Sequence, residues 1–121
     1  MLPVAEDVRH WHASPKSAVG FLVHAGTMDL NAMGPRRNLS MPGLSATVGE
    51  QIAALERVAG KNVVARIKRV PDPTIIGIVC GWPRDFVTDR ALKLGFTTAE
   101  KTFDDIIRIH IEDELGGKFA A

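Results

Sequence analysis

The stretch VRHWHASPKSAVGFLVHA, residues 8–25, sets an arginine, two histidines and a tryptophan against the start of a helical pattern. Two chemistries follow from those types at that spacing. If residues 9–12 are extended, His10 and His12 share one face at i, i+2, and a third imidazole, His24 or His110, would complete a zinc site. No acid or cysteine falls at ligand spacing, so histidines packed at a domain edge are the competing and favoured account, and no metal ligand is assigned. Alternatively Arg9 is a fork for a carboxylate, with Trp11 or His12 shaping the pocket wall. Its competitor is an arginine that ties loops together through backbone carbonyls.

A second aromatic–guanidinium pair stands in Gly81-Trp82-Pro83-Arg84, where a turn brings Trp82 and Arg84 together, either beside a ligand or as a structural corner. Arg36-Arg37 reads as a solvated loop pair and Lys16 as an exposed helix residue. Cys80 lies in an apolar run without a neighbouring base, which predicts a buried, inert thiol. Asp104 and Asp105 are favourable charges at a helix N-terminus rather than an acid/base pair.

These side chains need elements to hold them. Ser14-Pro15 starts a helix over about 15–24 or beyond, with the hydroxyl as cap and proline where no donor is needed. Its apolar residues, among them Val19, Phe21, Leu22 and Val23, nearly encircle the helix and so call for partners on more than one side. RNLSM, 37–41, alternates and is stopped by Pro42-Gly43, as a short strand would be. Thr47-Val48-Gly49-Glu50 fits a capping box, followed by helical spacing up to Gly60. NVVARI, 62–67, is β-branched and reads as another strand. Asp72-Pro73 opens TIIGIVC as a short helix, with a strand as competitor. Thr88 caps a short helix closed by Gly95, and Thr102 caps a longer one ending at Gly116-Gly117. The fold class is α+β: one small lobe over residues 1–121, with three to four helices and two or three short strands.

The totals bound the function. The 121 residues suit one domain, and 45% apolar with 24% charged residues is ordinary for a globular chain. A net charge of +1 with interspersed signs gives no field for nucleic acid or an anionic membrane. One cysteine allows no internal disulfide, no apolar run reaches membrane-span length, and MLPVAEDVRH carries acids where a signal peptide needs a basic start. A cytoplasmic setting is expected.

Read in order, the motifs resemble the C-terminal part of the extended short-chain dehydrogenases, the NAD-dependent epimerase/dehydratase family. The resemblance spans nearly the whole chain. It rests on Arg9, Trp11, His12 and Ser14-Pro15 at the first helix entry, and on RNLSMPGLSATVGEQI with Asn38, Gly43, Thr47 and Glu50. Asp89, Arg90-Ala91 and Leu94-Gly95-Phe96 before the closing helix complete it. SPKSAVGFLVHA, GPRRNLSMPGLSATVGEQIAAL and DPTIIGIVCGWP look closest to a branch that oxidises a small sugar acid of the D-erythronate type. Ser14 and Pro15 replace the family's usual aspartates, and Arg9 lies one residue nearer the histidine, departures that fit a small substrate.

The resemblance implies an NAD-dependent oxidoreductase of carbohydrate metabolism, with Arg9, Trp11, His12 and Arg84 as the substrate-contacting residues. It also implies parts that this sequence lacks. The family's cofactor site needs a glycine-rich turn for the pyrophosphate, and none occurs among the eleven glycines. Its proton transfer needs Tyr-x-x-x-Lys, and the chain has no tyrosine. The expectation is a fragment whose Rossmann domain lies upstream of Met1: without catalytic or cofactor-binding residues, inert alone, and inclined to self-associate through the apolar surface that domain would cover. Two alternatives remain at this point, the lobe of a nucleotide-sugar epimerase or dehydratase, and a non-enzymatic module binding a small ligand or a protein.

Overall fold

In the computed structural model, which describes residues 1–118, the histidine-rich stretch is a strand, β1 (Arg9–His12). It pairs antiparallel with β2 (Leu44–Thr47), with Arg9 opposite Thr47 and His12 opposite Leu44. The pair forms a two-stranded sheet, and the remaining elements are helical: α1 (Pro15–Thr27), α2 (Val48–Ala59), α3 (Lys61–Val64), α4 (Pro73–Val79), α5 (Asp89–Lys93) and α6 (Phe103–Leu115), with a 3-10 turn at Leu30–Met33. The α+β class holds. Among the described residues six α-helices stand against the three or four expected, because residues 61–64, read as part of a strand, form α3 and TIIGIVC, for which a strand competed, forms α4.

The caps behave as their residue types dictate. Ser14 Oγ accepts the Ser17 N–H at the start of α1. Thr47 with Glu50, and Thr102 with Asp105, form reciprocal capping boxes on α2 and α6. Asp72 takes the N–H groups of Thr74 and Ile75, so TIIGIVC becomes helix α4 rather than a strand. Thr88 precedes α5 without a side-chain cap bond. Gly116, at φ 60°, closes α6 in the left-handed region that glycine occupies without strain.

Two expected strands are corrected. Residues 37–41 are not a strand; the ladder begins after Pro42-Gly43, at Leu44. The alternation in RNLSM is real, since Leu39 and Met41 pack on the core, but no neighbouring strand offers that segment its hydrogen bonds. Instead the Arg90 guanidinium donates to the carbonyls of Met33, Arg36 and Asn38 and holds the loop in place. Residues 62–67 begin in α3, one turn that folds back on α2, where local bonds such as Ala65 N–H to Lys61 O (2.9 Å) satisfy a backbone that has no strand partner.

The core is small. Phe21, Ala91 and Phe96 are buried, with Met28, Leu39, Met41 and Leu94 packed around them, so α1 and α5 meet across the turn at Phe96. A second layer joins α2 and α6, tied at its edge by the Arg57–Asp104 pair. At the N-terminus Leu2 bridges to Arg69, and Glu6 pairs with the Arg69 guanidinium. Helix α1, whose apolar residues predicted burial on several sides, buries only Phe21 among its large apolar residues, while Val19, Leu22 and Val23 are 60%, 75% and 62% exposed.

Candidate functional site

A cavity of about 340 Å³ lies where the start of β1 meets the end of α4, lined among others by Arg9, His10, Val79, Cys80, Trp82 and Arg84. Its walls follow from local structure. β1 presents consecutive residues, and α4 unwinds through Cys80 and Gly81, where the Trp82 N–H bonds to Val79 O at 3.1 Å. The Ser45 hydroxyl, on β2, donates to Arg84 O at 2.8 Å and anchors the turn to the sheet.

Arg9 and Arg84 share this cavity but are held differently. Arg9 Nη1 donates to Ser45 O at 3.0 Å, and Nη2 reaches Glu50 Oε1 at 3.3 Å. Glu50 is held below the ordinary carboxylate range first by the Thr47 N–H it accepts and then by Arg9. Arg9 thus cross-links the strand pair to the first turn of α2. Among the described residues the Arg84 guanidinium makes no hydrogen bond or ion pair, which leaves its planar fork available to a carboxylate.

Trp11 lines a second, more apolar cavity of about 230 Å³ with Phe21, Met41 and Phe86, its indole N–H bonded to Met41 O at 3.1 Å and its ring edge-on to Phe86. His12 lies elsewhere: its ring meets Phe103 edge-on, and its Nε2 is 3.0 Å from the Gln51 amide of α2. Burial lowers its pKa below 6.5, as does the nearby His10, against a backbone hydrogen bond to Ala46 that raises it. Of the four residues expected to contact substrate, Arg9 and Arg84 therefore come together, Trp11 walls a separate cavity, and His12 faces α2 and α6.

The two strand histidines have no third partner. His24 Nε2 contacts Leu94 O at 2.7 Å with its ring on Phe96, and His110 is exposed on α6. Among the described residues no group of three histidines, cysteines or acids is placed to hold a metal. Cys80 is corrected from buried to exposed: it caps a seven-residue helix whose outer side faces solvent, so its apolar neighbours do not enclose it. Arg37 donates to Leu30 O, Lys16 is exposed, and Asp104 and Asp105 serve an ion pair and a helix cap.

One residue of consequence escapes a reading of sequence. Glu100 is 1% exposed and accepts the Ser14 N–H (2.8 Å) and the hydroxyls of Ser14 and Ser17 (2.6 Å each). Burial disfavours its charge, yet these hydrogen bonds outweigh it and hold the carboxyl below 4.5. The only signal is the doubled hydroxyl of Ser14 and Ser17 at a helix entry without an acid. His10, which the sequence offers as a zinc ligand or a packed edge histidine, lines the cavity with its ring edge-on to Trp82.

No protein-family model matches the chain. It is 39% identical over 111 residues to a D-erythronate dehydrogenase of Cupriavidus necator, covering 92% of this chain and 34% of that protein. With a D-erythronate dehydrogenase of Haemophilus influenzae it shares 31% over 113 residues, covering 93% of this chain and 36% of the relative. Among solved structures it superimposes with a TM-score of 0.92 on a nucleoside-diphosphate-sugar epimerase from Agrobacterium tumefaciens, at 60% identity, over 97% of this chain and 34% of that one. The chain thus spans about a third of the length of the relatives it matches.

Proposed function

Because the chain belongs to the epimerase/dehydratase family, as a C-terminal part of such a protein, we propose that it is the substrate-binding portion of an NAD-dependent oxidoreductase acting on a small sugar acid of the D-erythronate type. The observation that carries the reading is the uncommitted Arg84 guanidinium on a cavity of about 340 Å³, a size suited to a compact acid. Arg84 takes the carboxylate and Arg9 adds positive field within the same cavity, while Trp11 and His12, which lie outside its lining, belong to the strand that carries Arg9. The names of the two dehydrogenase relatives support the substrate class.

The residues of this chain do not fit the dinucleotide. A two-stranded antiparallel sheet offers no glycine-rich strand-to-helix turn for a pyrophosphate, and without tyrosine the chain cannot supply the family's proton donor. In this reading hydride and proton transfer belong to a Rossmann domain that partners the lobe, and the 121 residues alone are inert. A cytoplasmic setting belongs to the same proposal, supported by the single cysteine. No helix among the described residues is long and apolar enough to cross a membrane.

A second reading, the lobe of a nucleotide-sugar epimerase, is favoured by the name of the 60%-identical structure. Calorimetric titration of the chain with D-erythronate and with a UDP-sugar separates them. The acid alone is expected to bind, and Arg84→Ala to abolish binding. Binding of only the UDP-sugar would replace the first reading with the second. Binding of neither would favour a non-enzymatic module, and redox turnover or tight NAD uptake by the isolated chain would overturn the division of labour.

A further inference from the structure

The proposed function leaves three polar residues of the cavity lining idle, Asp7, His10 and Cys80; Asp7 and Cys80 are exposed to solvent, and the buried polar atoms of the three belong to His10. Both of its ring nitrogens are buried, and neither has a hydrogen-bond partner among the described residues. An imidazole carries polar nitrogens that are costly to bury unpaired, and most buried polar atoms in folded proteins find a partner. The surroundings explain why none is at hand. Across the ladder His10 faces Ala46, whose side chain offers no donor or acceptor. Its other large neighbour is the Trp82 indole, edge-on with ring centroids 5.5 Å apart.

Trp82 covers His10 without being locked over it. The residue is 55% exposed, stands in the turn between α4 and Arg84, and its indole N–H has no partner among the described residues. The cavity behind it is lined by both side chains and by the free Arg84 guanidinium. One rotation of the indole therefore uncovers a second polar contact within the cavity that Arg84 borders.

We propose that His10 is a ligand-contacting residue of this cavity, covered by Trp82 in the resting chain and engaged by a hydroxyl of a small polyhydroxy acid whose carboxylate lies on Arg84. The inference rests on the reading of the cavity as an acid site and deepens it. Arg84 selects for the acid, and His10 for the hydroxyl beside it, so a plain carboxylic acid of the same length binds less well.

The test uses the isotopically labelled 121-residue chain, with D-erythronate, butyrate and glycerol as probes. Long-range nitrogen NMR follows the His10 ring, and fluorescence follows the tryptophans. D-erythronate is expected to move both His10 ring-nitrogen signals and shift the indole emission, and glycerol to do neither. Butyrate is expected to bind about tenfold more weakly, the scale of one hydrogen bond. His10→Phe, which keeps an aromatic ring under Trp82, is expected to bind erythronate about tenfold more weakly and no longer to distinguish it from butyrate. Erythronate binding with the His10 nitrogens unmoved would overturn this inference and leave the acid site standing. Absence of erythronate binding to the unmodified chain would overturn both.

Discussion

Ser14 and Glu100 are 86 residues apart in the chain, yet the Ser14 hydroxyl lies 2.6 Å from the Glu100 carboxylate and its backbone N–H 2.8 Å away. Ser17 adds a second hydroxyl at 2.6 Å, so one buried carboxylate fastens the entry of α1 to the segment before α6. Glu100→Gln puts an amide N–H₂ where an acceptor is needed, and we expect it to lower stability by about 2–4 kcal/mol in urea denaturation. The pH dependence has a definite sign. A carboxyl held below 4.5 in the folded state stabilises at higher pH, and that stability is lost as pH falls through the folded value. The acid limb of the wild-type stability curve should therefore be shallower in Glu100→Gln.

Gly43 meets the sheet so closely that a Cβ would lie 2.5 Å from His12 O and 2.6 Å from the Trp11 indole nitrogen. The carbonyl is backbone and cannot swing aside, so the start of β2 must shift. Gly43→Ala should cost about 1–3 kcal/mol. It should also move the Trp11 fluorescence, because the indole bond to Met41 O lies at the same place. A variant as stable as wild type would show that the strand pair yields there.

How much of this was legible in the sequence depends on whether the partner of each group is local. The caps of α1, α2, α4 and α6 were legible because Ser14, Thr47, Asp72 and Thr102 bond to N–H groups two or three residues onward. The 37–41 and 62–67 strands failed because a strand needs a neighbour, and alternation in Leu39 and Met41 records burial, not pairing. Arg9 and Arg84 could be named from type, but the Ser45 link between their segments is set by tertiary contacts. Glu100 was invisible for the same reason, since its partners lie 83 and 86 residues away.

Arg9 and Arg84 should separate when each is truncated. Arg9 bonds a strand carbonyl and a half-exposed carboxylate, so Arg9→Ala should reduce stability by about 1–2 kcal/mol. Arg84 has no such partners among the described residues, so Arg84→Ala should melt like wild type and lose erythronate affinity. Thermal denaturation and calorimetry on the same preparations decide it. Loss of stability without loss of affinity in Arg84→Ala would make the turn a structural corner.

His12 gives the strand a second pH dependence. Its folded pKa lies below 6.5, with burial as the main cause, so the unfolded chain binds this proton more readily. Stability therefore falls as pH drops below the unfolded value and levels off once the folded value is passed. His12→Gln should remove that limb while leaving the one due to Glu100. A urea midpoint of wild type that does not change between neutral pH and pH about 5.5 would contradict the assignment.

The exposed face of α1 leads to a test of association. Val19, Leu22 and Val23 lie at helical spacing on one side, while Phe21 and the Ser14–Glu100 contact hold the opposite side in the core. In the proposed reading an apolar stripe of this kind is a contact surface for a Rossmann domain, and in the isolated chain for a second copy. In isolation the chain should associate as its concentration rises, read by light scattering. Leu22→Lys with Val19→Lys should return it to a monomer without lowering its melting temperature, because neither side chain is in the core. A wild-type chain that stays monomeric at millimolar concentration would mean that this stripe is too small to hold a partner alone.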